Sequence, residues 1–282
     1  MHGIGNSYIL LEDLNNDLRL LYPKLAVVLS NPSYGIGSDG LLVVTRGKLA
    51  PLQMRVFNPD GGEAEMCGNG IRMFARYVKD RGLCTGDELR VEVGGKEGGR
   101  VVIPRLTFRN GTFHSVRVNM GKGRVIDRVK EVDVGVVFTG SHVSVGNPHF
   151  VIFGPSSEEL ARKYGPLIEN HALFQPERTN VEFVEPKTPN DVVVHVWERG
   201  AGYTLACGTG ACAVAFVAQR VQTGFERDMT VHLPGGDLDV SMSSDYTIFL
   251  EGPAEYIFEG SVDIDHILSS DSSTKLFESY GV

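Results

Sequence analysis

Arg55-Val56-Phe57-Asn58-Pro59-Asp60-Gly61-Gly62 and, 140 residues later (195 − 55), His195-Val196-Trp197-Glu198-Arg199-Gly200-Ala201-Gly202 decide how this chain folds. In the same register, without a gap, Cys67-Gly68-Asn69-Gly70 falls on Cys207-Gly208-Thr209-Gly210. Both copies then run into matching segments that end in Arg76-Tyr77-Val78 and Phe216-Val217-Ala218. At an offset of 141 (146 − 5), Gly5-Asn6 falls on Gly146-Asn147. Matched apolar, glycine and cysteine positions in one ungapped run mark a duplicated unit rather than a chance meeting of two glycine-rich stretches.

Each copy repeats the same local pattern. Leu41–Val44 and Met54–Phe57 read as strands in the first, Val181–Val184 and Val192–Trp197 in the second, and a glycine-rich loop follows each pair. After each Cys-Gly-x-Gly the apolar residues Ile71, Phe74, Ala75 and Val78, or Ala211, Val214, Ala215 and Ala218, recur at helical spacing. Each cysteine therefore opens a helix, closed by Gly82 in one copy and Gly224 in the other. The remaining sequence reads as short strands broken by turn residues, with one turn at Gly94–Gly99. The expected class is α+β: an N-terminal lobe over 1–115, completed by the segment 262–282, and a C-terminal lobe over 116–261. Within the tail, Ser269-Ser270-Asp271-Ser272-Ser273 reads as linker-like and disordered.

Composition narrows the function. A net charge of −8 with no basic tract or basic–aromatic stripe argues against a nucleic-acid partner and for a small-molecule substrate. The apolar runs are far shorter than the roughly 20 residues a bilayer needs, and Met1-His2-Gly3-Ile4-Gly5 is not a signal peptide, so the expected setting is the cytoplasm, away from any membrane. In a reducing compartment Cys67, Cys84, Cys207 and Cys212 are not a disulfide framework, and they lack the paired spacing of a zinc site. No metal is expected. Cys84 and Cys212 read as buried, inert thiols.

Cys67 and Cys207 read differently. The first N–H groups of a helix lack intrahelical partners and form its positive end, which should draw a thiol pKa down from about 8.5 toward working pH. Flanking glycines let a substrate carboxylate approach those N–H groups. With two such helix starts facing each other, one thiolate removes the α-proton of an amino acid while the opposite thiol supplies another. The centre inverts, and no cofactor is needed because oriented N–H dipoles stabilise the developing charge.

Met66-Cys67-Gly68-Asn69-Gly70-Ile71-Arg72 and Glu198-Arg199-Gly200-Ala201-Gly202-Tyr203-Thr204-Leu205-Ala206-Cys207-Gly208-Thr209-Gly210-Ala211 strongly resemble the two signature motifs of the diaminopimelate epimerases. Similar too are Met1–Asn6, Gly35–Asp39, Phe57–Gly61, Gly146–His149, Thr179–Val181 and Leu233–Gly236, so the likeness covers most of the chain. The resemblance implies two pseudo-symmetric lobes, each a barrel-like, mostly antiparallel sheet around a central helix. It implies a pyridoxal-phosphate-independent enzyme converting LL-2,6-diaminopimelate to the meso form in lysine and cell-wall precursor synthesis, working as a homodimer. By the same resemblance Cys67 and Cys207 are the acid–base pair, and His149 and Glu198 lie near the reacting centre. Gly68, Asn69, Gly208 and Thr209 hold the reacting carboxylate. Asn6, Asn58, Asn147, Asn180, Glu198 and Arg199 grip the amino-acid end that is not inverted.

Arg199 suits a carboxylate and Glu198 an ammonium, although each asparagine taken alone reads better as a turn or cap residue, and His149 reads equally as a loop histidine. The chain departs from the family pattern at Tyr203, where glutamate is usual, and at Gly40, where glutamine is frequent. Asn6-Ser7-Tyr8 stands for Asn-Asp-Phe, the first strand is shortened, and the tail after about Gly260 has no counterpart. An epimerase of another amino acid, such as histidine or lysine, is the alternative within this chemistry. Outside it stand a thiol redox protein and a dinucleotide-binding module. Gly35-x-Gly37-x-x-Gly40 and Gly208-x-Gly210-x-x-Ala213 carry the dinucleotide pattern, but the first precedes a strand and the second is separated from its strand by Gly200–Ala206.

Overall fold

The computed structural model describes residues 1–64, 67–94 and 99–282, so Met66 of the first motif and the middle of the expected 94–99 turn lie outside the described residues. Six helices are described: α1 (Tyr22–Ser30), α2 (Gly68–Asp80), α3 (Glu158–Glu169), α4 (Gly208–Arg220), α5 (Ile264–Ser269) and α6 (Asp271–Tyr280). The chain divides into two compact units, Met1–Val118 with Pro253–Val282, and Asn119–Gly252. Pro253 and Ala254 belong to the first because their carbonyls accept hydrogen bonds from Arg72 and Arg76 on α2.

The first unit is built on a sheet ordered Ile9–Glu12, Leu41–Arg46, Leu52–Phe57, Val91–Val93, Arg100–Val102, with Glu63–Ala64 paired beside Leu52–Phe57. The second is built on strands ordered Arg124–Asp133, Val137–Ser144, Pro148–Phe153, Asn180–Thr188, Asp191–Glu198, Asp228–Leu233, Gly236–Met242 and Thr247–Gly252, with Gly202–Thr204 beside Asp191–Glu198.

Strand register carries the duplication into three dimensions. In the first unit Ile9 pairs with Leu41 in parallel, Leu41 with Phe57 antiparallel, Val56 with Ala64 antiparallel and Leu52 with Val91 in parallel. In the second, Phe150 pairs with Val181, Val181 with Trp197, Val196 with Thr204 and Val192 with Val231, in the same senses. Every partner is displaced by the offset read from the sequence. Because a slip of one residue would turn each side chain to the opposite face of the sheet, agreement at four junctions fixes the two units as copies of one plan.

Each copy buries its cysteine-led helix. Ile71, Met73, Phe74, Ala75 and Val78 of α2 are fully or almost fully inaccessible, and α4 is buried on all sides through its alanines and valines. Small residues there let the strands of its unit approach the helix backbone closely. Gly82 follows α2 with φ +69° and its N–H on Lys79 O, as expected of a glycine that ends a helix. Gly224 is not the equivalent. α4 ends at Arg220, where the N–H groups of Val221 and Gln222 both reach Val217 O and close the last turn before the glycine.

The tail corrects a second expectation. The serine run is helical: Asp263 accepts from His266 N–H at the start of α5, and Ser270 accepts from Ser273 N–H at 3.2 Å at the start of α6. The serine that looked like linker is a helix cap. Ile264, Ile267 and Leu268 then pack on the core formed by Tyr22, Leu25, Leu29 and Phe57, which supplies the burial that the short helix lacks by itself.

Candidate active site

Cys67 is the N-cap of α2 and Cys207 the N-cap of α4. Their backbones match, with φ −128° and ψ 120° at one and φ −129° and ψ 104° at the other. Gly70 N–H donates to Cys67 Sγ at 3.2 Å, and Gly210 N–H to Cys207 Sγ at 3.3 Å. Each thiol thus takes the place of a capping hydroxyl, a geometry that a strand entering a helix through Cys-Gly-x-Gly produces.

Around Cys67 the Asn6 carbonyl is the hub. Asn6 Oδ1 accepts from Asn69 Nδ2 at 3.2 Å and faces the Cys67 thiol at 3.8 Å, while Asn6 Nδ2 donates to Asp39 Oδ2 at 2.9 Å. Asp39 also accepts from Ser7 N–H at 2.7 Å, so it orients the asparagine amide. Fully buried Arg72 follows one turn on, donating to Gly68 O and Pro253 O. Asn58 lies in the exposed turn after its strand, closed by Asn58 N–H on Gly62 O, and joins none of these bonds.

The second unit assembles more of the expected residues. Asn147 Nδ2 donates to Thr209 Oγ1 at 3.3 Å, and Thr209 Oγ1 lies 3.6 Å from Cys207 Sγ. His149 Nε2 is 3.0 Å from Asn147 Oδ1, and its Nδ1 is 2.6 Å from Glu182 Oε1. Glu198 accepts from the Thr204 hydroxyl, and its charge acts on the Cys207 thiol. Asn180 ties strand to turn, accepting from Arg199 N–H at 2.9 Å and donating to Pro148 O at 2.7 Å. Arg199 Nη1 donates to Glu177 O. Gly68 and Gly208 open their helices.

Tyr203 is explained by its neighbours. It stands one residue before Thr204 on a strand and so faces the other side of the sheet, where its hydroxyl is 2.8 Å from His195 Nδ1 and Arg162 lies over its ring. The corresponding pair in the first unit is Arg55 and Glu63, joined at 2.7 Å. The substitution therefore alters the outer support of the strand, while Thr204 keeps its bond to Glu198.

Sequence reasoning passed over Asp39, Glu169 and Glu182. Glu169 at the end of α3 accepts from Arg178 Nη1, Trp197 Nε1 and Gly200 N–H, holding the turn that carries Glu198 and Arg199. An acidic residue inside the apolar run Val181-Glu182-Phe183-Val184 was the available signal for Glu182, because an interior strand retains a carboxylate only where a partner meets it.

The thiol pKa values move opposite to the expected direction. Burial pushes Cys67 up, against the Gly70 N–H bond, the Tyr8 bond and Arg72, which pull it down. Cys207 is pushed much further, by burial first and then by the charges of Glu198 and Glu182. A helix end contributes about 0.3–2 kcal/mol, roughly 0.2–1.5 units of pKa, whereas full burial shifts a group by up to about 3–5 units. Desolvation wins. Burial also raises Glu198, despite the bond from Thr204. Cys212 is buried inside α4, whereas Cys84, expected to be buried, is partly exposed because it follows the end of α2 in a surface turn. Among the described residues no three His, Cys, Asp or Glu side chains cluster as a metal site, and no helix is long and apolar enough to cross a membrane.

The diaminopimelate epimerase family profile matches residues 1–126 and 141–257. The chain belongs to the diaminopimelate epimerase family. The diaminopimelate epimerase of Moorella thermoacetica is 42% identical over 281 residues, covering 94% of this chain and 98% of its own. That of Pelotomaculum thermopropionicum is 41% identical over 276 residues, covering 92% and 96%. Among solved structures, a probable proline racemase from Agrobacterium radiobacter superposes with a TM-score of 0.66 at 14% identity, covering 92% of this chain and 86% of that one. A phenazine biosynthesis protein of the PhzF family from Bacillus anthracis gives 0.64 at 16%, covering 94% and 95%. The structural likenesses establish the fold, and the sequence matches establish the family.

Proposed function

We propose that this chain inverts one α-carbon of LL-2,6-diaminopimelate to give the meso isomer, with Cys67 and Cys207 as the two acid–base groups. The observation that carries this reading is one thiol capping a buried helix at the same position of both copies. One thiolate takes the α-proton and the other thiol returns a proton to the opposite face of the carbon, so the pair changes roles when the reaction runs backwards. First-turn N–H groups at Gly68, Asn69, Gly208 and Thr209 take the reacting carboxylate and stabilise charge spreading into it. Glu198 acts on the second thiol, to which His149 is linked through Asn147 and Thr209, and Glu198, pushed up by burial, is suited to sharing a proton with it. Arg199, Asn180, Asn147, Asn58 and Asn6 hold the second amino-acid head, a carboxylate and an ammonium that call for paired donors and acceptors.

The scheme draws its chemistry from side chains alone. Incubation with LL-diaminopimelate, histidine, lysine, glutamate and proline, followed by chiral chromatography, tests it. Inversion of diaminopimelate well above the other amino acids is expected. Faster inversion of any of the other four would overturn the substrate assignment.

A further inference from the structure

The two copies place different side chains at one equivalent position. Leu42, 140 residues before Glu182, packs beneath the first turn of α2, where a Cβ on Gly70 would meet its methyl carbon at 3.2 Å. Glu182 occupies the same place beneath α4, where a Cβ on Gly210 would meet Glu182 Oε1 at 3.0 Å. Tyr8 and His149 are likewise equivalent, at the offset of 141. An apolar–aromatic pair therefore underlies one helix start, and a carboxylate–imidazole pair underlies the other.

Glu182 and His149 are both fully buried and 2.6 Å apart. A contact that short between Nδ1 and a carboxylate oxygen is that of an Nδ1–H donor, and it holds the ring so that an Nε2–H can donate to Asn147 Oδ1 at 3.0 Å. The Asn147 amide spans the gap to Thr209, and Thr209 reaches the thiol of Cys207. The second carboxylate oxygen, Oε2, is buried with no hydrogen-bond partner among the described residues. Leaving it so costs stability. Leucine, which fills the equivalent place in the other copy, would avoid that cost, so the carboxylate is poorly accounted for by stability.

We propose that Glu182 is a positioning residue for Cys207, fixing the orientation of the His149 ring and, through Asn147 and Thr209, that of the Cys207 thiol. In the first unit Leu42 and Tyr8 stand where Glu182 and His149 stand in the second, so Glu182 acts on one thiol of the pair. This rests on the two-thiol reading above, but part of its test needs no substrate.

Glu182→Leu copies the residue of the other unit, and Glu182→Gln keeps the shape while removing the charge. In folded protein, checked by circular dichroism, Glu182→Leu should lower kcat by about 10–10²-fold with KM within about threefold, the scale of a misplaced reacting group. Glu182→Gln should recover part of that loss. Alkylation by iodoacetamide, followed by peptide mass spectrometry, should change in rate at Cys207 and stay constant at Cys67. Equal rates at Cys207 in wild type and both variants would overturn the proposal, as would a fall in kcat matched by equal changes at the two cysteines. If Glu182→Leu does not fold, Glu182→Gln alone decides by the same two readouts. A failure of the substrate assignment would appear as absent inversion in the wild type, with the Cys207 alkylation difference intact.

Discussion

Cys67 and Cys207 share a backbone conformation, a helix start and an N–H donor three residues on, yet their surroundings diverge. Behind Cys67 lie Tyr8, Leu42 and the buried cation of Arg72; around Cys207 lie His149, Glu182 and Glu198. Duplication preserved the backbone that creates a capped thiol, and sequence divergence set the charge around it. In the proposed two-thiol scheme, the two groups that exchange roles as acid and base would start with unequal affinities for a proton.

The largest effect should come from erasing either member. Cys67→Ala and Cys207→Ala should each reduce inversion by about 10²–10⁴-fold or more, the range a positioned acid or base supplies, measured by chiral chromatography. If one variant kept wild-type inversion, the two copies would not be partners.

Next comes pH. Both thiols are raised, so each stays protonated further into the alkaline range than a free cysteine, and alkylation should climb with pH past the usual thiol value. The shift is greater at Cys207, so Cys67 should react first as pH rises, resolved peptide by peptide with iodoacetamide. The reverse order would show that the carboxylates near Cys207 do not govern its charge. The sign for stability is the same for both: with folded pKa values above the unfolded ones, these thiols favour the fold below the free-thiol value and lose that contribution as pH rises through the folded value.

The paired glycines sharpen the contrast. A Cβ at Gly210 would press within 3.0 Å of Glu182 Oε1 and 3.2 Å of Cys207 Sγ, so Gly210→Ala should act mainly on kcat. At Gly70 it would press on Cys67 Cβ at 3.1 Å and on the methyls of Leu42 at 3.2 and 3.4 Å, so Gly70→Ala should lower kcat and also thermal stability, the latter by about 1–3 kcal/mol, read in a melting curve. The smallest effect should be at a feature of the first unit alone, its helical tail. Leu268→Ala removes a half-buried contact with the α1 core and should cost about 1–2 kcal/mol of stability at unchanged kcat.

Sequence made the copies visible because their register is ungapped: Arg55-Val56-Phe57 on His195-Val196-Trp197 foretold strand partners that appear at Leu41–Phe57 and Val181–Trp197. Cysteines followed by helical periodicity foretold two helix starts. Less legible was anything set by burial. The helix-end argument gave the wrong sign for both thiol shifts, since how much water a folded sheet excludes is not written in local spacing. The tail misled because Ser270, a cap, looks like a linker residue until Ile267 and Leu268 find α1. Glu182 was hidden because its partner, His149, comes from a strand more than thirty residues earlier.

The most direct test of the two-thiol account is α-hydrogen exchange in heavy water, followed by proton NMR and chiral chromatography, on wild type and each single cysteine-to-alanine variant. Wild type should carry solvent deuterium at the inverted centre of the meso product, and neither variant should interconvert the LL and meso forms. Inversion at the wild-type rate with either Cys67 or Cys207 removed would contradict it.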